Sequence, residues 1–216
     1  MGLFQRLKGD IQDVWSAYTD HAFVRQLLEG SLPEPCFRHY LGQDYRFLIH
    51  FARAYALAAY KSETLADIRQ ANGGLSAIVD VEMDLHVKFC ADWGLTEAEM
   101  EALPEADETM AYTRFVLEKG NAGDLLDLHV ALAPCIIGYA EIGKSLAPAE
   151  SGNPYATWIE MYASEEYQEV AEAEIAQLDR LFDLRAGEGR YESLSKTFAQ
   201  ATQLEVAFWQ MGLDAA

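Results

Sequence analysis

Residues 35–60, PCFRHYLGQDYRFLIHFARAYALAAY, open on a proline and run to Tyr60 with only Gly42 to weaken a helix. Proline suits the first helical position, where its missing N–H costs nothing. Tyr40, Phe47, Phe51 and Tyr55 fall largely on one face at helical spacing. The stretch predicts a long helix with an aromatic face, and the same signals extend in both directions. Upstream, residues 3–18 repeat apolar groups at Leu3, Leu7, Ile11, Val14 and Tyr18. Downstream, Thr64 starts a pattern through Leu65, Ile68, Leu75, Ile78, Val81, Leu85 and Phe89, with Gly73-Gly74 a candidate kink or interruption. Thr96-Glu97-Ala98-Glu99 reads as an N-cap with an acidic first turn. Residues 107–119 predict a helix closed by Gly120-Asn121, and residues 124–146 one apolar all round. Residues 154–162, 164–184 and 191–211 complete the set. No stretch alternates with period two for long enough to predict a strand. No linker and no internal repeat divides the 216 residues. The expectation is one all-α domain over 1–216, of seven to nine helices, with any ligand site between helices.

Composition excludes several function classes. Sixteen Lys+Arg stand against 35 Asp+Glu, a formal net charge of -19. That field repels nucleic-acid phosphates and anionic lipid, so no nucleic-acid or membrane partner is expected. Half of the residues are hydrophobic, which is too many for wholesale disorder. Cys36, Cys90 and Cys135 are too few and too dispersed for a disulfide framework or a CxxC metal pair. No secretory leader pattern opens the chain. Apolar runs such as 54–60 and 130–139 read as too short or too interrupted to span a bilayer. The expected location is the cytoplasm. No GxGxxG, Walker A or GxSxG pattern occurs.

The informative residues are polar groups inside apolar helices. Asp44 shares a face with Tyr40, Phe47 and Phe51, where an unpaired carboxylate is costly. It reads either as an ion-pair partner of Arg38, Arg46 or Arg53, or as an anchor for a ligand amino group. Cys135 follows Pro134 in an apolar helix that proline tends to bend. It reads as a small buried hydrophobe or, with Tyr139 one turn on, as a nucleophile. Glu205 lies among Phe198, Ala201, Phe208 and Trp209, either at a helix edge or as a buried acid of raised pKa. Glu82 and His86, spaced i, i+4 near Asp80 and Asp84, suggest a structural pair or half of a metal site. The histidines are His21, His39, His50, His86 and His129, and none lies in the C-terminal third. His21 beside Ala22-Phe23 reads as a haem ligand or as a hydrogen-bonded packing residue. No metal and no cofactor is expected.

Taken in order, these motifs resemble the TenA family, thiaminase II. The resemblance runs over nearly the whole chain. It is carried by His21-Ala22-Phe23-Val24-Arg25-Gln26-Leu27-Leu28-Glu29-Gly30, by Tyr40-Leu41-Gly42-Gln43-Asp44-Tyr45, and by Glu82 with His86, then Tyr112. Ala133-Pro134-Cys135…Tyr139-Ala140-Glu141-Ile142-Gly143 is the most specific match. Pro154-Tyr155…Trp158…Tyr162 and Glu205…Phe208-Trp209 follow. The resemblance implies a haem-oxygenase-like multi-helix bundle assembled as a homotetramer. It implies hydrolysis of a small molecule, thiamin or an aminopyrimidine derived from it, to 4-amino-5-hydroxymethyl-2-methylpyrimidine. The family's nucleophile falls on Cys135, its acid/base on Glu205 and its pyrimidine-binding carboxylate on Asp44. Pocket aromatics fall on Tyr112, Tyr139, Tyr162 and Phe208. Phe47 stands where the family sometimes has Tyr, so it stacks without donating a hydrogen bond. Three alternatives stay open: a metal- or haem-dependent oxidase of the same fold, a non-catalytic pyrimidine-binding regulator, and a relative acting on another amine or a quinone-cofactor precursor.

Overall fold

The computed structural model describes residues 1–215; the side chain of Leu85 and all of Ala216 lie outside the described residues. Twelve α-helices follow one another: α1 (Leu3–Asp10), α2 (Gln12–Thr19), α3 (Ala22–Glu29), α4 (Glu34–Lys61), α5 (Leu65–Ser76), α6 (Met83–Asp92), α7 (Glu97–Ala102), α8 (Asp107–Ala122), α9 (Leu125–Leu146), α10 (Ala156–Ala163), α11 (Glu165–Arg185) and α12 (Tyr191–Leu213). A π-helical turn, Ala77–Glu82, joins α5 to α6, and a 3-10 turn, Glu188–Arg190, precedes α12. No strand occurs among the described residues. The all-α expectation holds, but seven to nine helices undercounts the set.

One cause of the undercount is the break at Ile11, where φ is -126° and ψ 32°. The apolar period of residues 3–18 does not continue through it. Leu3, Phe4 and Leu7 are buried on α1, but on α2 the buried residues are Trp15 and Tyr18 rather than Val14. The break turns two short helices so that each buries its own aromatic face. At α8 the opposite error occurs. Gly120 does not stop the helix but sits buried inside it. A Cβ there would lie 2.8 Å from side-chain carbons of both Leu57 and Leu128, so glycine permits close packing on α4 and α9.

Helix α9 forms the centre of the bundle, packed against α2, α4, α8, α10, α11 and α12. Asp124 caps it, accepting from the N–H groups of Leu126 and Asp127, while the Asp127 carboxylate accepts from the Asp124 N–H. Arg190 clamps both carboxylates at 2.7 Å. The helix runs unbroken through Pro134, whose carbonyl accepts a hydrogen bond from Tyr18 Oη at 3.3 Å. An 18-residue window within its 22 residues reaches a mean hydropathy of 1.5, long and apolar enough to cross a membrane by length and composition alone. The apolar window is 83% buried inside the bundle, so neighbouring helices account for its composition.

Gly143 brings α10 against α9. A Cβ at this position would lie 2.4 Å from the backbone carbonyl carbon of Tyr162. Backbone cannot rotate away as a side chain can. We expect Gly143→Ala to destabilise the fold by about 1–3 kcal/mol, as overpacking does, and to displace Tyr162. Chemical denaturation and the near-UV signal of the aromatic cluster would register both.

Candidate active site

Six helices and the π turn converge on one group of side chains. The long face of α4 contributes Tyr40, Asp44 and Phe47. Tyr112 comes from α8, and Cys135 and Tyr139 come from α9 at i, i+4 spacing. Trp158 and Tyr162 stand i, i+4 on α10, and α12 contributes Glu205 and Phe208 at i, i+3. The π turn and α6 add Glu82 and His86.

Asp44 is 4% exposed and its partners are Tyr40 and His86. Tyr40 Oη donates to Asp44 Oδ2 at 3.1 Å, and Trp158 Nε1 donates to Tyr40 Oη at 3.2 Å. His86 Nε2 lies 2.8 Å from the same Oδ2. Burial pulls the His86 pKa down, but Asp44 and Glu82 more than reverse this and leave it raised. None of the three arginines proposed from sequence reaches Asp44. Arg38 pairs with Glu34, Arg46 donates to the Glu101 carbonyl, and Arg53 meets His50. His86 therefore serves Asp44 rather than closing a pair with Glu82 along its own helix.

Glu205 is 1% exposed, and Tyr112 Oη donates to its Oε1 at 2.9 Å. Burial pushes Glu205 up to about 8, against the hydrogen bonds from Tyr112 and Cys135. Burial, with the negative charges of Glu205, Glu82 and Asp44, pushes the Cys135 thiol well above its usual range. Both groups are thus protonated at neutral pH. Cys135 lies deep in the bundle yet is only partly buried, so part of its surface meets space that a water molecule can enter. Two shallow surface depressions, one beside Phe115 and Gln200 and one beside Gln5 and Tyr191, lie on other residues.

Aromatic rings pack around these groups. Phe47 packs on Tyr112 at 5.1 Å and on Phe208 at 5.6 Å between ring centroids. Tyr139 packs on Tyr162 at 4.9 Å, and Tyr162 on Trp158 at 4.6 Å. The structure brings together Asp44, Phe47, Tyr112, Cys135, Tyr139, Tyr162, Glu205 and Phe208. Sequence reasoning missed Tyr40 as the partner of Asp44, although i, i+4 spacing carried that signal. It also gave no role to Trp158.

Three of the remaining histidines have structural partners. His21 caps α3, its Nδ1 accepting from the Phe23 N–H at 3.2 Å, which replaces the haem-ligand reading. His129 pairs with buried Glu174 at 2.8 Å, and His50 joins Glu105 at 2.7 Å. Among the described residues no three His, Cys, Asp or Glu side chains are arranged to hold a metal ion.

The chain is similar to several known proteins. The chain is 36% identical to an aminopyrimidine aminohydrolase from Halalkalibacterium halodurans over 206 residues, 94% of this chain and 92% of that one. A solved TenA family transcription regulator from Silicibacter superposes with a TM-score of 0.94 at 46% identity, covering 98% of this chain and 96% of that one. A Shewanella denitrificans domain of haem-oxygenase-like fold superposes at 0.75 with 12% identity, over 98% of this chain and 92% of that one, which shows the fold alone. The TENA/THI-4/PQQC family profile matches residues 9–215, and the chain belongs to that family.

Proposed function

We propose that this chain is a hydrolase of thiamin salvage. It replaces the group on the 5-methylene carbon of thiamin, or of 4-amino-5-aminomethyl-2-methylpyrimidine, with the hydroxyl of water. The product is 4-amino-5-hydroxymethyl-2-methylpyrimidine. The observation that carries this reading is the convergence of Cys135 with the buried carboxyls of Asp44 and Glu205, brought by three different helices into one cluster of packed aromatic rings.

Asp44 accepts hydrogen bonds from the ring's amino group, held in place by Tyr40 and His86. Phe47 and Phe208 stack on the heterocycle, and Tyr112, Tyr139 and Tyr162 line its edges. Cys135 sulfur adds to the ring while protonated Glu205 gives its proton to a ring nitrogen, then takes the thiol proton. The net change is a new S–C bond and a proton moved from sulfur to nitrogen. The ring electrons then expel the leaving group from the methylene carbon. Water adds there, and Cys135 departs as the ring proton returns through Glu205. Tyr139, one turn from Cys135, orients the thiol.

A side-by-side turnover assay on thiamin and the aminomethylpyrimidine tests the reading. We expect the hydroxymethyl product from at least one; none from either overturns it. The -19 charge opposes a duplex-DNA-binding regulator, the activity that the Silicibacter relative's name suggests. The proposal places the enzyme in the cytoplasm, where three unpaired cysteines stay reduced. It also keeps a homotetramer, for which exposed Tyr60, Leu65, Val79 and Val81 offer apolar surface. Light scattering at the tetramer mass is the expected result.

A further inference from the structure

Glu82 is an ionisable group in the site that the steps above leave unused. It ends the π turn Ala77–Glu82, the kind of wide turn that often marks functional positions. Its Oε1 accepts from Tyr162 Oη at 3.3 Å, and Tyr162 packs on Tyr139. Its Oε2 has no hydrogen-bond partner among the described residues, and the side chain is only partly buried. Through Tyr162 it joins the ring cluster of Tyr139 and Trp158, and its charge adds to the burial that raises the Cys135 thiol. The other charged groups facing it are Asp44 and His86. No Lys or Arg pairs with Asp44, Glu82 or Glu205 among the described residues.

Glu205 is protonated at neutral pH and Asp44 faces His86, which leaves Glu82 as the carboxyl of this cluster with no ion-pair partner among the described residues, a group that favours a positively charged ligand. We infer that Glu82 binds the cationic nitrogen on the substrate's methylene carbon, using the carboxylate oxygen that no protein group occupies. The inference rests on the hydrolase reading and extends it to the leaving group. A protonated aminomethyl group gives an N–H to Glu82 in a charge-assisted hydrogen bond. A thiazolium nitrogen has no N–H and is held by charge alone. When the C–N bond breaks, nitrogen keeps the electron pair and leaves as ammonia. The incoming water forms the C–O bond and gives one proton to Glu82, which passes it to ammonia. An alkylammonium and water thus become an alcohol and ammonium, with atoms and charge balanced. Burial pushes Glu82 up to about 7, which suits a group that must take and return a proton near neutrality.

Glu82→Gln keeps the size of the side chain and an acceptor for Tyr162. We expect the KM for the aminomethyl substrate to rise about tenfold to a hundredfold, the worth of a hydrogen bond to a charged group. The rise for thiamin should be smaller. The inhibition constant of the neutral hydroxymethyl product should stay within about twofold, since it carries no charge at that carbon. Equal weakening of product and substrate would mark Glu82 as a structural residue and overturn the inference, as would no change in either. Glu82→Asp, which keeps the charge, should recover part of the loss, and it carries the comparison if the Gln protein fails to fold. Calorimetric binding of the aminomethyl and hydroxymethyl compounds to wild type separates the two levels of argument. Charge-selective binding without turnover would sink the hydrolase reading and keep Glu82's role; absence of binding would sink both.

Discussion

The Cys135→Ala protein is expected to bind the aminopyrimidine near wild-type affinity and to turn it over at least about a thousandfold more slowly, as loss of a covalent nucleophile does. The affinity should survive because the ring is held by groups other than the thiol: Asp44 with its Tyr40 and His86 partners, and the Phe47 and Phe208 faces. The rate should collapse because no other nucleophile of similar softness stands there. Cys36 and Cys90 are fully buried, with Cys36 Sγ on the Leu213 carbonyl. Burial and three nearby carboxyls hold the free thiol protonated, so it is not a standing thiolate. Its reactivity must come from proton transfer coupled to attack, which makes the ring nitrogen and Glu205 partners in the same step. Stability should change little, since Ala removes one partly buried atom. Single-turnover kinetics beside calorimetric binding measures both quantities. Turnover at the wild-type rate would remove the covalent step, and loss of binding would assign Cys135 to recognition instead.

Local spacing made one half of this site legible. Tyr40, Asp44 and Phe47 share a face because four and three residues are each close to one helical turn, and the same arithmetic pairs Cys135 with Tyr139. The partners of those residues were not legible. The His86 ring reaches Asp44 from another helix, and only the packed bundle sets that approach. The π turn compounds the difficulty. One extra residue in a turn rotates everything after it by roughly 100° relative to a continuous α-helix. A periodicity read straight through residues 64–89 therefore misassigns the faces of Glu82 and His86. The same limit explains the helix count. Ile11 breaks a regular apolar pattern for the sake of tertiary burial, and Gly120 stays helical for the same reason. Composition told a related half-truth about α9. Its hydropathy fits a membrane span, but the helices packed around it account for that hydropathy, and they are invisible in a window of one sequence.

Glu205→Gln should lower kcat by about a hundredfold to ten-thousandfold, the range for removing a positioned acid/base, and should also change two pH profiles in opposite senses. The carboxyl titrates at about 8 because burial disfavours its charge, and Tyr112 and Cys135 only partly offset that. As an acid it works while protonated, so wild-type activity on this limb should fall as pH rises through about 8. Gln holds no transferable proton, and its residual rate should lack that limb. Stability runs on the same proton. The unfolded carboxyl titrates near 4.5 and the folded one near 8. Between those values the folded state holds a proton that the unfolded state has lost. The contribution to stability is therefore complete below about 4.5 and is lost progressively as pH rises toward about 8. Gln keeps an oxygen for the Tyr112 hydroxyl and has nothing to ionise. The variant should thus gain melting temperature relative to wild type from pH 5 to pH 8, while activity is nearly absent throughout. An active site that sacrifices stability for a proton predicts this split between a more stable protein and a dead one. A Gln variant that loses stability uniformly across that range would show Glu205 to be a structural partner of Tyr112, and the acid role would pass to another group.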